Sequence, residues 1–489
     1  MKLTVARFTL ELLSPMHIGS GLRSAATDAP VVRDAFGDFR IPGSSLAGAL
    51  RAASGACASA WGSAGAQANS ASMIEVSDGF LVDFDGTVAL GKRLAGKPVG
   101  YRVLAEVQDH VRIGHDSGTA EDGGKFDAEL IPQGTRFRCE ISLVERAGAS
   151  RESCESARTA FGRALSLLKS GEIALGGDVS SGLGIVRIVE QTLTVGDFDM
   201  STRAGLEGAR NRSADIGDSA GNGDTSAFLS EVGQQRVGGG RAGDLIDGSV
   251  TIAFVTDGPL LVGGSQRPST KSEADKNHGA DLVFGESLIA DYAKRCLVAR
   301  PWVPGSSLRG ALRHRTWHVL EALGRTDAAA IIDDLFGCVD GETGRASKVR
   351  IHGCFLNDEP RTAVQHVAID RLTGGSLKGA LFAEAPIWRD DLRLEVRLTL
   401  HGVSDAHAAV LAHALIDMGT GHLPIGGGTR RGNGRLKFAD DPKGFRGKAV
   451  SFTLMRGATA IQHGSPSQDI DAFIDALEQA NGQLAGATA

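Results

Sequence analysis

The chain lacks an excess of basic charge. Lys and Arg number 52 against 58 Asp and Glu, the formal net charge is −6 and the pI is about 6.1. An indiscriminate nucleic-acid binder is usually basic overall, so that class is disfavoured. A local basic track is not, because clustering sets the electrostatic footprint. Paired cysteines are missing too. The six cysteines, Cys57, Cys139, Cys154, Cys296, Cys338 and Cys354, form no C-x-x-C. That spacing argues against structural zinc, and a long chain with no export signal argues against a disulfide framework. They read as small core hydrophobes. No apolar run has the length of a membrane span. The start, MKLTVARFTLELL, alternates like a strand and has neither the basic start nor the cleavage site of a signal peptide. A cytoplasmic protein with no membrane partner is expected. No glycine loop ends in G-K-[ST], the G-S-S of the PGSS turn is not a G-x-S-x-G elbow, and no triad order is evident, so a mononucleotide P-loop and a hydrolase triad are disfavoured.

What is present is a repeat. IPGSSLAGALRAA (41–53) recurs as VPGSSLRGALRHR (303–315), and SMIEVSDGFLVD (72–83) as SKVRIHGCFLND (347–358). DHVRIGHDSGTA (109–120) recurs as QHVAIDRLTGGS (365–376), and IALGGDVSSGLGIVRI (173–188) as LPIGGGTRRGNGRLKF (423–438). LLSPMHIGSG (12–21) has a weaker echo in DGPLLVGGSQ (257–266). All five pairs keep one order, and their separations vary as loop insertions around a shared scaffold would make them. The chain therefore reads as a tandem duplication. The expected units are a first domain at 1–195, a Gly/Ser/Asp-rich linker at 196–247, a second domain at 248–460 and a tail with a short helix at 461–489. Residues 84–108 read as a loop inserted in copy one.

Each copy opens on an alternating strand, FTLELL (8–13) or SVTIAFV (249–255), followed by a glycine-rich turn, a variable loop and PGSS leading a helix. Ser306 and Ser307 are placed to cap that helix in copy two. Strand-like runs follow around Phe80 and Phe355. Then come a strong strand (137–144; 392–400), a helix (about 155–170; 404–418), the glycine loop and a last strand. The order β, α, β, then β, α, β predicts an α+β fold of two tandem ferredoxin-like units, RRM-like sheets with helices on one face. Such sheets commonly bind single-stranded RNA.

Four features carry candidate chemistry. The glycine loops let the backbone approach a ligand and offer N–H groups to phosphate, and Arg430 and Arg431 add charge; a plain helix-to-strand turn needs the same glycines. The PGSS turn aims Ser44 and Ser45, or Ser306 and Ser307, at a helix N-terminus, which is a phosphate seat or ordinary capping. A basic track runs through Lys294, Arg295, Arg300, Arg309, Arg313 and Arg315, then Arg345, Lys348 and Arg350, then Arg430, Arg431, Arg435 and Lys437. It is either a phosphate-binding groove or a solvated face. Asp28 and Asp34 lie in TDAPVVRD, where a carboxylate beside phosphate holds a hydrated Mg²⁺ or positions an attacking 2′-hydroxyl, or is a turn residue.

Together, SPMHIGSG, TDAPVVRD, IPGSSLAGALR, IDRLTGG (369–375) and GG-x-x-x-R-G-x-G-R resemble the RAMP proteins of type III CRISPR effector complexes, above all their backbone subunits. Two such domains in one chain resemble the multi-domain subunits of type III-D-like systems. The resemblance covers both copies and leaves out the linker and inserts. It implies a subunit that coats CRISPR guide RNA beside other effector subunits. It also implies thumb hairpins that break the guide–target duplex, and a loop Asp that cuts single-stranded target RNA with Mg²⁺ or another divalent cation. Asp28 falls on that residue as catalyst and metal ligand, and Arg33 and Asp34 complete the motif. The implied RNA contacts are His17, Arg33, Ser44, Ser45, Arg51, Ser306, Ser307, Arg309, Arg313, Arg371, Arg430, Arg431 and Arg435. Copy one departs from the pattern at GHDSGTA, which lacks the Arg expected at the thumb base, and copy two has lost the loop around Asp28. Its counterpart offers Asp281 or Asp291 as catalyst, and neither aligns cleanly. Leu261 replaces His17 there. Three readings compete: a guide-directed RNA endonuclease, an RNA-coating subunit without chemistry, and a guide-RNA-processing nuclease with His17 as base.

Overall fold

A computed structural model of the chain describes residues 1–22, 27–55, 57–63, 70–100, 105–114, 120–211, 245–263, 280–340, 343–357, 361–389, 392–439, 450–456 and 459–461. The expected tail with a short helix lies, beyond residue 461, outside them.

Copy one is built on β1 (Lys2–Leu12), which runs between β7 (Arg136–Glu145) on one side and β8 (Val186–Ile188) with β9 (Thr194–Asp199) on the other, all antiparallel. Beyond β7 lie β3 (Ile74–Val76) and β4 (Gly79–Leu81), and β4 pairs β2 (Arg40–Ile41). Alternation decides the buried face. Ala6, Phe8, Leu10 and Leu12 of β1 and Phe137, Cys139, Ile141 and Leu143 of β7 enter one core. Helices α1 (Gly43–Ser54), α2 (Ala58–Trp61) and α4 (Arg151–Ser170) cover it, through Leu46, Leu50, Phe161 and Leu165 among others. Ser150 caps α4 by accepting from Ser153 N–H at 3.1 Å. A first strand central between the third and the last, with both crossing helices on one face, is the ferredoxin-like order the repeat predicted.

Copy two repeats it. β10 (Ile246–Thr256) runs between β20 (Arg393–Val403) and the strands β21 (Leu436–Phe438) and β22 (Val450–Arg456), and β16 (Val349–Ile351) lies outside β20. The helices are α6 (Gly305–Ala322), α7 (Ala328–Phe336) and α8 (Asp405–Gly419). Two short strands, β14 (Cys338–Asp340) and β15 (Thr343–Arg345), form a small hairpin after α7. Leu394, Val396, Leu398 and Leu400 of β20 are buried while Arg393, Glu395 and Arg397 face out. α6 starts one residue before the expected caps: Pro304 is the N-cap, and neither Ser306 nor Ser307 caps it.

The segment read as linker contributes structure at its start. β9 joins the first sheet, and α5 (Arg203–Asn211) follows; residues 212–244 lie outside the described set. The inserted loop at 84–108 contains α3 (Ala89–Leu94). There Lys92 reaches Asp83 at 2.5 Å and Arg93 clasps the buried Asp38 at 3.0 Å.

Each copy carries a two-stranded hairpin apart from its main sheet. These are β5 (Glu106–Ile113) with β6 (Ala120–Leu130), and β18 (Val364–Ile369) with β19 (Ser376–Ala385). His110 stacks on Phe126 in the first and His366 on Phe382 in the second, each pair in cross-strand register.

The copies dock directly. A hairpin of β12 (Glu286–Asp291) and β13 (Cys296–Val303) leads into α6. Its Ala290 enters the core of copy one, and its Tyr292 hydroxyl donates to Val82 O at 2.6 Å. Glu106 accepts from the Ser287 hydroxyl at 2.7 Å and Leu288 N–H at 2.9 Å. The glycine loop of copy one, with a 3-10 turn at Val179–Ser181, packs on the start of α6 and on β16.

Candidate active site and RNA interface

Asp28 and Asp281 are the candidate catalysts, and the structure puts them in equivalent places. The two hairpins superimpose by their registers, with His110 and Phe126 matching His366 and Phe382. Asp127 therefore matches Ala383, the residue after each Phe. Asp127 N–H donates to Asp28 Oδ2 at 3.3 Å, and Ala383 N–H donates to Asp281 Oδ2 at 2.9 Å. Ala29 bridges Ala128 in parallel, and Leu282 pairs Glu384 in parallel. Both carboxylates are exposed at the root of a hairpin. Asp291 is elsewhere, at the end of β12, where Lys294 N–H and neighbouring charge hold its carboxyl below the ordinary range. It drops out as the copy-two candidate. The sequence offers Asp281 without a clean match to Asp28 because their equivalence rests on strand pairing: the shared signals are the His and Phe of the hairpin.

Around Asp28, Thr27 donates to Asp127 Oδ1 at 2.8 Å and Asp28 N–H donates to the same oxygen at 2.7 Å. These bonds hold Asp127 below the usual carboxylate range. His17 is half-buried with Nδ1 2.8 Å from Glu129 O; a carbonyl only accepts, so Nδ1 carries the hydrogen. Its ring lies against Gly19 and Gly177, which ties hairpin to glycine loop. Burial and the nearby His17 push His110 down from its ordinary value. Among the described residues no group of three or more His, Cys, Asp or Glu is placed to hold a metal ion. A cation at Asp28 or Asp281 would be a hydrated one shared with RNA phosphate, the arrangement Mg²⁺ favours.

The expected phosphate contacts divide. Arg33 is committed to its own loop: it donates to Gly37 O at 3.2 Å, approaches Glu129 at 3.5 Å and lies over Phe39. Arg309 donates to Phe336 O and Arg313 to Gly337 O at 3.1 Å, so both join α6 to α7, and burial lowers the Arg309 pKa. Arg431 pairs with the buried Glu384, which also meets His366 at 3.2 Å. Arg315, Lys348 and Lys437 pair with Asp417, Asp334 and Asp257. The proposed groove thus loses much of its charge to internal partners. Arg51, Arg371, Arg430 and Arg435 are exposed and make no ion pair among the described residues. Arg371 stands at the tip of the second hairpin, not its base, in a turn organised by Asp370 Oδ1, which accepts from Leu372 and Thr373 N–H at 2.8 Å.

The phosphate seats are also altered. At α1 the first N–H, that of Gly43, donates to Asp78 Oδ1 at 2.7 Å, so a carboxylate of the chain sits there. Ser44 is exposed and Ser45 half-buried beside it; Ser306 and Ser307 are half-buried. At α6 the Gly305 Cα faces Ser181 O and Ile351 O so closely that a Cβ would lie 2.1 and 2.3 Å from them. The glycine loops spend their N–H groups internally. Leu175 donates to Gly184 O, Gly177 to His17 O and Gly184 to Pro15 O; Gly427 and Gly434 donate to Leu261 and Pro259 O. Their glycines serve close backbone packing, since a Cβ on Gly184 or Gly434 would meet a carbonyl at 1.9 Å.

A family model described as the RAMP superfamily matches residues 9–187 and 298–437. A stretch of 46 residues is 54% identical to the CRISPR system Cms endoribonuclease Csm3 of Methanocaldococcus jannaschii. That match covers 9% of this chain and 18% of the relative. No helix among the described residues is long and apolar enough to cross a membrane.

Proposed function

The chain belongs to the RAMP superfamily, and from that premise we propose that it is a guide-RNA-coating subunit of a type III CRISPR effector complex which cuts guide-complementary RNA at two places. The short identity to an endoribonuclease of a CRISPR system supports the class. The observation that carries the chemistry is the equivalence of Asp28 and Asp281: two exposed carboxylates, each fixed by a hairpin N–H, one per copy. Residues kept in the same place by two diverged halves, where the surrounding loops differ, mark a shared task. The paired-subunit layout resembles type III-D-like fusions.

Asp28 and Asp281 orient the target 2′-hydroxyl and take up its proton as it attacks the adjacent phosphorus; the P–O5′ bond breaks, leaving a 2′,3′-cyclic phosphate and a 5′-oxygen that takes a proton from water. A hydrated divalent cation, held by Asp28 or Asp281 with target phosphate, supplies charge neutralisation when bound. Arg430, Arg435, Arg51 and Arg371 hold RNA phosphates.

The test uses the purified complex with end-labelled complementary RNA. Asp28→Ala is expected to remove one product and Asp281→Ala the other. Each rate should fall by roughly 100-fold or more with guide and target binding intact, and chelation should stop both. Two unchanged products in both variants would make the chain an RNA-coating scaffold.

A further inference from the structure

The two carboxylates are equivalent in place but not in how they are held. In copy two the main chain does it. Asp281 N–H donates to Ala383 O and Ala383 N–H donates to Asp281 Oδ2, both at 2.9 Å, and Leu282 and Val283 continue as a parallel ladder on Glu384 and Ala385. Copy one has no such ladder. Its pairing there is a single bridge, Ala29 to Ala128, and the Asp127 N–H to Asp28 Oδ2 bond stretches to 3.3 Å. Asp28 N–H turns from the main-chain oxygen to the Asp127 side chain, at 2.7 Å, and the Thr27 hydroxyl donates to that same Oδ1 at 2.8 Å. In copy two the matching positions are Ala280 and Ala383, so both members of the Thr27–Asp127 pair change together. Partners lost together behave as one device.

We propose that Asp127, with Thr27, is a positioning residue for Asp28, a side-chain bracket that does in copy one what a strand ladder does in copy two. The Thr27–Asp28 end of the loop then depends on one acceptor oxygen, while Glu129 holds the residues after it, donating its N–H to Ala29 O at 3.0 Å and accepting from Val31 N–H at 2.9 Å. The carboxylate's charge is incidental and its geometry essential. Small displacements of a catalytic group cost large factors in rate, so the two sites of one chain should respond differently to a change at residue 127.

This inference rests on the proposed function for its kinetic readout only, and copy two supplies the internal standard. In the assembled complex Asp127→Ala should lower the rate of the copy-one product by roughly 10- to 100-fold. Target affinity and the copy-two product should stay unchanged. Asp127→Asn should restore most of the loss, because a carboxamide oxygen accepts the same two bonds. The second readout needs no cleavage: amide exchange of Asp28, whose N–H is bonded to Asp127, should quicken in Asp127→Ala, return to normal in Asp127→Asn, and stay constant at Asp281 in both. Unchanged exchange at Asp28 in Asp127→Ala overturns the bracket. An Asn variant as slow as the Ala variant also overturns it, since the charge would then be what matters. Failure of the functional reading is seen separately, as a copy-one product that survives Asp28→Ala.

Discussion

Arg431 donates to Glu384, whose side chain is 2% exposed, and lies over Phe382, whereas Arg430, one residue earlier, is exposed and makes no ion pair among the described residues. The two are indistinguishable in TRRG as a sequence. Charge marks a residue as a phosphate candidate, but only the fold shows whether a buried carboxylate has already claimed it. The difference is measurable. Arg430→Ala should leave the melting temperature in place and reduce the salt dependence of RNA binding by about one unit of slope. Arg431→Ala should leave Glu384 underpaired and cost roughly 1–3 kcal/mol of stability, with His366 as its remaining partner. Equal salt slopes for both variants and equal melting would count against the division.

At the scale of elements, much was readable. Alternation such as LRLEVRLTL fixed the central strands because a one-residue slip would turn Leu394, Val396, Leu398 and Leu400 out to solvent. Helix α4, expected at about 155–170, begins earlier, at Arg151, because Ser150 caps it, and it ends at Gly171, left-handed at φ 76° and donating to Leu167 O. The hairpins were only half readable. Val111, Ile113 and Phe126 are exposed in the first, and Val367, Ile369, Leu372 and Leu381 in the second. With no buried face there is no pattern to read. Asp28 was legible from its motif, but Asp127 was not, because its role depends on pairing across about a hundred residues. Glu106, at the root of the first hairpin, was hidden for the same reason. Burial pushes its carboxyl up, more than its bonds from Gln108, Leu288 and Ser287 pull it down. A folded pKa above the unfolded one means that protonation favours folding. The cost is full above the folded pKa and gone below the ordinary carboxyl range near 4.5. Glu106→Gln should therefore match or exceed the parent's melting temperature at neutral pH, with the difference closing as pH falls towards that range. A Gln variant that melts lower at pH 7 and regains parity on acidification would show the charged form to be stabilising.

At the scale of the molecule, duplication was evident in the sequence and docking was not, since contacts between halves leave no period. The structure brings the halves into close contact at Gly182, where a Cβ would lie 2.6 Å from His352 Cα and 2.8 Å from Ile351 O across the junction. Gly182 has φ +77, so an L side chain is strained there whatever the space. The equivalent glycine of copy two, Gly432, has φ +96 and nothing within 4 Å of a built Cβ. The pair separates two effects. Gly432→Ala should carry the conformational cost alone, about 1 kcal/mol or slightly more. Gly182→Ala should carry that cost and also force the copies apart, because backbone on both sides must shift. On the proposed function, the docked copies would set the distance between Asp28 and Asp281, and hence between two cuts in one target strand. The expected outcome is a larger drop in melting temperature for Gly182→Ala than for Gly432→Ala. It should come with an increased radius of gyration by solution scattering and a blurred spacing between the two RNA products. Gly432→Ala should keep the parent spacing. If both variants melt alike and both keep the spacing, the junction at Gly182 does not set the ruler, and the β12–β13 hairpin, through Tyr292 and Ala290, would hold the copies in register by itself.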